Sequence, residues 1–344
     1  MKTDAILFAS REEISTCQVE VPEPGPNEIM TETIVSAISP GTEIRMLQGH
    51  YGTEGKFPYV PGYNAIGRVI RVGSKAAGWR EGDLVSTINP TPFPGTTCLY
   101  GGHARIQVHA VDIDQRPVPL PEIEDPARYA LVELGAISLR GVMAVKPRRG
   151  ENAVVIGQGL IGLLSAVWLK QHGCRVTVVD RSEHRLQRSR ALGVDYALSA
   201  DEPDIFECLQ SRSREGFDIV VEASGSTPGA RLATKIVRRT PTMPAGRYVR
   251  EPISLHTDSW PRLVFQANYL EPFPFNPHND LSGEGVVLIA AGDRGIDERM
   301  RCAQAIRRGE LPESLVEKFF TWNDAPAAYG QLKDLQIHSA VLKW

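Results

Sequence analysis

Apolar and polar positions change their rhythm once along this chain. Through residues 1 to about 130 the apolar residues fall in short β-branched runs, among them Glu28–Ser36, Ala65–Val72 and Asp83–Ile88, cut by Gly, Pro and Asn turn signals. Gly62, Gly67, Gly73, Gly78 and Gly82 recur closely here, which predicts a compact β-barrel with sharp corners. From about residue 135 strand-like and helix-like runs alternate. Strands are predicted at Ala153–Ile156, Val176–Val179, Tyr196–Leu198, Ile219–Glu222 and Leu263–Ala267, with helices starting near Gly159, Ser182, Ile205 and Pro228. Such alternation predicts an α/β domain with a doubly wound parallel sheet. The last segment reads as helix (Glu298–Arg308), strand (Glu317–Trp322), helix (Asp324–Leu335) and strand (Ser339–Lys343), a return to the first domain.

One junction in this pattern carries chemistry. The strand Ala153–Ile156 runs straight into Gly157-Gln158-Gly159-Leu160-Ile161-Gly162, a G-x-G-x-x-G turn that opens a helix, and the next strand ends on Asp180. Strand, glycine turn, helix, strand and acid together form a dinucleotide fingerprint, against the alternative of a glycine turn in an ordinary α/β sheet. Gly157 permits the tight turn, Gly159 lets backbone approach a pyrophosphate, and Gly162 lets helix pack on strand. The N–H groups at the helix start, around Leu160 and Ile161, then face the phosphates. Asp180 can accept hydrogen bonds from ribose hydroxyls and repels a 2′-phosphate, so NAD(H) is expected rather than NADP(H). Arg181 points the other way, since an arginine there can meet that phosphate.

The chain's 344 residues give room for two domains and a sizeable core, and its net charge of −3 gives no sign of a nucleic-acid or membrane partner. It shows no signal-peptide pattern and no run of about 18 apolar residues. Cys17, Cys98, Cys174, Cys208 and Cys302 are scattered and never form C-x-x-C, the usage of reduced thiols in a cytoplasmic protein.

Several short motifs stand in this order: Pro22-Glu23-Pro24-Gly25-Pro26-Asn27-Glu28, Ser39-Pro40-Gly41-Thr42-Glu43, Val60-Pro61-Gly62-Tyr63-Asn64-Ala65-Ile66-Gly67-Arg68-Val69, Glu81-Gly82-Asp83-Leu84-Val85 and Gly101-Gly102-His103-Ala104. The glycine fingerprint and Asp218-Ile219-Val220-Val221-Glu222-Ala223-Ser224-Gly225 follow. Over nearly its whole length the chain resembles the medium-chain dehydrogenase/reductase superfamily. The resemblance implies a GroES-like β-rich catalytic domain (1–134 and 294–344), a Rossmann domain binding NAD(H) (135–293) and an active site in the cleft between them. It places Ala223, Ser224, Ala267 and Asn268 against the cofactor and pairs the strand Gly285–Ala290 with its copy in a homodimer. In short motifs the chain is similar to the branch that holds bacteriochlorophyllide dehydrogenase and tailoring dehydrogenases of secondary metabolism.

The family's catalytic zinc lacks its ligands here. The expected Cys is Pro40, the His-Glu pair is Tyr63-Asn64, and only Glu133 matches a ligand position, too few for Zn²⁺. A lone Cys98 stands where a structural zinc would need four cysteines. A zinc-free enzyme is therefore expected, with a hydroxyl donor in the metal's stead. On that reading Tyr63 is hydrogen-bond donor or general acid, Thr42 a relay, and Asn64 and Glu133 orienting or proton-exchanging groups. Each has a bland alternative: Tyr63 filling the vacated metal hole, Thr42 as a turn residue, and Glu133 paired with Arg45 or Arg140. His103 is expected on a surface loop or lining the pocket, and His278 is a lesser candidate. An insertion of about twenty residues near 240–261 departs from the family, and loops that long are usually functional or disordered.

The leading expectation is hydride transfer between NAD(H) and an alcohol/ketone of a small metabolite, without zinc. The competing expectations are a C=C reductase of the quinone or enoyl type and a non-catalytic NAD(H)-binding sensor or scaffold.

Overall fold

The structure, a computed structural model, describes residues 1–50, 56–98, 100–113, 116–238, 260–276 and 285–344. His278 and the insertion up to residue 259 lie outside the described residues. The chain divides into two compact units, 1–136 with 294–344 and 137–293.

The first unit opens with β1 (Lys2–Ser10), β2 (Glu13–Glu20), β3 (Glu28–Ile38), α1 (Pro40–Leu47) and β4 (Tyr59–Val60). It continues through β5 (Asn64–Val72), β6 (Leu84–Thr87), β7 (Thr97–Cys98), β8 (Ile106–Ala110) and β9 (Val118–Pro119) to the start of α2 (Val132–Ala144). The second unit holds β10 (Asn152–Ile156), α3 (Leu160–Gln171), β11 (Arg175–Asp180), α4 (Glu183–Ala191), β12 (Tyr196–Ser199), α5 (Ile205–Arg212), β13 (Ile219–Glu222), α6 (Thr227–Ile236), β14 (Arg262–Phe265) and β15 (Val287–Ala290). The return segment adds α7 (Ile296–Arg307), β16 (Lys318–Thr321), α8 (Ala325–Lys333) and β17 (Ala340–Lys343).

In the first unit the barrel resolves into two sheets. One has the order β2-β1-β4-β7, and the other runs β16-β17-β3-β5-β6-β9 with β8 pairing β3. Strand β3 lies at the centre of the second sheet, against β17, β5 and β8, and most of its residues are buried. Ile6, Phe8, Ile38, Tyr59, Tyr329 and Leu342 form one core cluster there, so strands from both ends of the chain share an interior. Pro40-Gly41-Thr42-Glu43, where the alternative reading of Thr42 placed a turn, is the start of α1, because Pro40 sits at the first helical position, where its missing N–H costs nothing.

In the second unit the strand order is β12-β11-β10-β13-β14-β15, all parallel. The central strands β10 and β13 are buried nearly throughout, as expected for a parallel sheet covered on both faces. The order reverses between β10 and β13, and the loops leaving their carboxyl ends form the crevice in which such sheets hold ligands.

Candidate active site

The predicted dinucleotide residues gather at that crevice. Gly157 has φ +89°, and a Cβ there would lie 2.6 Å from the Ser224 backbone nitrogen. The turns after β10 and β13 are therefore in backbone contact. A Cβ on Gly162 would lie 1.8 Å from the Gly157 carbonyl oxygen, so only glycine lets α3 close on the strand. Gly159 differs, because a Cβ there would meet nothing within 4 Å. Open space beside the backbone at the N-terminus of α3, with the N–H groups of Leu160 and Ile161 in its first turn, is the cradle an anion requires.

Asp180 is nearly buried, and its oxygens accept from the backbone N–H groups of Gln158 (2.6 Å) and Ser182 (2.8 Å). The Gln158 side chain, itself buried, donates to the Gly157 carbonyl at 2.9 Å and accepts from Ser189 at 2.9 Å. These bonds fix the acid and the glycine turn as one piece. Arg181 is 81% exposed and pairs with Asp201 at 2.9 Å, whereas Arg185 lies 3.6 Å from Asp180. Sequence reasoning singles out neither Gln158 nor Arg185: Gln158 is an x position of the fingerprint, which carries no residue signal, and Arg185 lies outside it on α4.

On the other side of the crevice Glu222 is fully buried at the end of β13. It accepts from the N–H groups of Ser224 (3.0 Å) and Gly225 (3.2 Å), from the Ser224 hydroxyl and from the Tyr269 phenol. Ala223 and Ser224 thus form a rigid turn. Tyr269 ties to it the segment after β14 that holds half-buried Ala267 and exposed Asn268. Burial and the Glu222 charge push the Tyr269 phenol far above the usual tyrosine range.

A second polar cluster lies in the first unit. Glu133, in the first turn of α2, is fully buried and is held by two arginines of the return segment. Arg294 Nε donates to Oε2 at 2.8 Å, Arg299 Nε donates to Oε1 at 2.7 Å, and the Ser86 hydroxyl also donates to Oε1. Burial alone would raise this carboxyl, but the charges of Arg299 and Arg294 outweigh it and hold the group below the usual glutamate range. The expected partners Arg45 and Arg140 are not the ones found. The real partners lie 161 and 166 residues away, beyond any local pattern.

Arg294 also reaches Tyr63. Its Nη1 donates to the phenol oxygen at 3.1 Å, and the guanidinium carbon lies 4.8 Å from the ring centroid. Asn64 is fully buried and donates from Nδ2 to the Ala130 carbonyl at 3.2 Å. Thr42 is half-buried in α1, and no hydrogen bond joins it to Tyr63 or Glu133 among the described contacts. Pro40, in the same helix, offers no donor atom. Among the described residues no group of three or more His, Cys, Asp and Glu side chains could hold a metal ion.

The backbone of Tyr63 is fixed by a residue that sequence reasoning passed over. Glu43, fully buried on α1, accepts from the N–H groups of Ser39 (2.8 Å) and Tyr63 (3.1 Å) and from the Tyr329 phenol. His103 completes the set, with Nε2 3.0 Å from Glu43 Oε2 and Nδ1 2.8 Å from Ser36 Oγ. The Trp344 indole donates to the same Ser36 oxygen at 2.8 Å. Ser36 is then placed to donate to Nδ1 while Nε2–H donates to Glu43. His103 is therefore an interior residue at 0% exposure, not a surface-loop residue.

Comparison with known proteins bears on these two clusters. Residues 25–114 match the family model described as alcohol dehydrogenase GroES-like domain, and residues 161–247 match that described as zinc-binding dehydrogenase. The chain is 26% identical to sorbitol dehydrogenase of Halalkalibacterium halodurans over 238 residues, covering 63% of this chain and 68% of that protein. It is 29% identical to D-altritol 5-dehydrogenase of Agrobacterium fabrum over 258 residues, covering 68% and 73%. In fold it is similar to 2R,3R-butanediol dehydrogenase from Bacillus subtilis, with a TM-score of 0.81, 20% identity and 99% of each chain covered. The GroES-like and dehydrogenase models together span just over half of the chain, which belongs to the medium-chain dehydrogenase/reductase superfamily of oxidoreductases.

Proposed function

We propose that this protein transfers a hydride between NAD(H) and the alcohol/ketone pair of a small metabolite, and does so without a catalytic zinc. The observation that carries the zinc-free part is the occupation of Glu133. Zn²⁺ takes three protein ligands and a water in a catalytic site. Here the one carboxylate at a ligand position is bonded to two guanidinium groups, Tyr63 faces Arg294, and Pro40 has no donor. A dication beside those two buried arginines would also meet strong repulsion.

The dinucleotide cradle fits the cofactor. Gly159 and the N–H groups of Leu160 and Ile161 would hold the pyrophosphate, Asp180 and Ser182 the adenosine ribose, and the turns at Ala223-Ser224 and Ala267-Asn268 the far half. Bound there, a nicotinamide supplies or accepts the hydride. Asp180 favours NAD(H), because a 2′-phosphate would face a nearly buried carboxylate and Arg181 is engaged by Asp201. In the first unit Tyr63 delivers or receives the proton of the reacting oxygen, in the polar surroundings kept by Arg294 and Glu133. The polyol substrates named for the similar sorbitol and D-altritol enzymes support an alcohol substrate. The protein also pairs with a second copy along β15, one of the two edge strands of its sheet, where Leu288 is exposed.

The test is metal analysis and nicotinamide titration on one purified sample, followed by a screen of alcohols with NAD and ketones with NADH. Zinc below about a tenth of an equivalent, NADH bound more tightly than NADPH, and turnover that resists chelators are expected. Stoichiometric zinc needed for turnover would overturn the zinc-free reading, and tighter NADPH would overturn the role given to Asp180.

A further inference from the structure

Arg294 is the residue on which the polar cluster of the first unit converges. It stands just before α7 with its side chain 2% exposed, bonded at once to the Glu133 carboxylate and to the phenol oxygen of Tyr63. Its orientation is not its own. Glu133 holds it, and Glu133 is held by Ser86 and by Arg299, which also donates to the carbonyl oxygens of Arg116 (2.8 Å) and Ser86 (3.2 Å). A guanidinium so fixed needs no reorganisation when charge develops beside it, which is the condition for electrostatic stabilisation in a dry site.

We infer that Arg294 is the fixed positive charge of this centre, a positioning residue that acts through the phenol of Tyr63 to favour negative charge on the reacting oxygen. The inference rests on the alcohol/ketone reading above. A donor to the phenol oxygen that is itself cationic makes the phenol a better proton donor, because charge left on that oxygen is stabilised. Glu133 on α2 and Arg299 on α7 stand behind Arg294, and Glu43 on α1, itself bonded to the titratable His103, lies at the Tyr63 backbone. Glu43 accepts the Tyr63 backbone N–H, and the Tyr100 ring packs with its centroid at 4.8 Å.

The test compares Arg294→Gln and Arg294→Lys in the full chain. With Gln, kcat for ketone reduction should fall on the order of 100-fold to 1,000-fold while the NADH KM stays within about twofold. Lys should recover a substantial part of kcat, and added guanidinium ion should partly rescue Arg294→Gln. A structural role alone would give neither recovery. A second readout needs no turnover: Tyr63 ionisation followed by near-ultraviolet absorbance, isolated by subtracting Tyr63→Phe. Arg294→Gln should move that ionisation to higher pH by about one unit or more, and Lys by less. Unchanged kcat in Arg294→Gln, or an unmoved ionisation, would overturn the inference. A wild-type protein inactive on every alcohol and ketone would instead overturn the functional reading, with the ionisation shift still deciding the role of Arg294.

Discussion

Arg299 Nε donates to Glu133 Oε1 at 2.7 Å, and both side chains are at most 2% exposed, so the return segment is fastened to α2 by a buried charge pair. Taking one partner away from such a pair leaves an uncompensated charge in a poorly polarisable interior. Glu133→Gln, which strands two guanidinium groups, should cost about 3–5 kcal/mol of stability. Urea denaturation followed by circular dichroism measures it. A midpoint equal to that of the wild type would mean the cluster is solvated after all.

Two of the fingerprint glycines, Gly162 and Gly159, should separate by mechanism. Gly162→Ala brings a methyl to 1.8 Å from a backbone oxygen, which cannot give way, so the second unit should be strongly destabilised. Gly159→Ala meets open space and should leave the melting temperature within a degree or two. Its methyl would nonetheless occupy the anion cradle, weakening NADH binding about tenfold or more. If Gly159→Ala binds NADH normally by fluorescence titration, the pyrophosphate does not lie against that residue.

Asp180→Ser tests nucleotide choice. Losing the carboxylate removes the repulsion of a 2′-phosphate and the acceptor for ribose hydroxyls, with a hydroxyl left to meet the Gln158 N–H. The NADH dissociation constant should rise roughly tenfold to a hundredfold, a loss of about 1.4–3 kcal/mol, with NADPH improved or unchanged. A parallel loss for both nucleotides would assign Asp180 to the turn alone.

His109 should make folding sensitive to mild acid. Burial first, and then the Arg299 charge, lower it from 6.5 to about 3, opposed by the Ile88 backbone. The unfolded chain therefore takes up a proton below pH 6.5 that the folded chain refuses, and stability falls as pH falls. The slope is about 1.4 kcal/mol per pH unit, beginning near 6.5 and ending near 3. Between pH 6.5 and 5 the carboxylates of the unfolded chain, with ordinary values of about 4, have taken up few protons. Glu133, depressed in the fold, adds its loss only below its ordinary value of 4.5. In that upper window His109→Gln should flatten the profile measured by urea midpoint against pH. An unchanged slope would assign the acid sensitivity to other groups.

What the sequence determined by itself was whatever rests on neighbours along the chain. The alternation of strands and helices, the glycine turn with Asp180 at the end of the next strand, and the residue types at Pro40 and Tyr63 are all local. They follow from side-chain period, positive φ and residue chemistry, and β13 was predicted at its observed bounds. At Pro40-Gly41-Thr42-Glu43 a proline suits both a turn and the first position of a helix, so local pattern leaves both open and the structure shows the helix. Only the tertiary structure decided which charges meet. Glu133 had arginines nearer in sequence, yet the fold delivers Arg294 and Arg299 to it by adding β17 beside β3 and so bringing the return segment back. His103, flanked by glycine and alanine, carried no sign of burial, and its place beside Glu43, Ser36 and Tyr329 comes from strands and helices far apart in the chain. Local propensity sets the elements. A buried charge is satisfied by whatever the topology brings within about 3 Å, and no pattern along the chain records that distance.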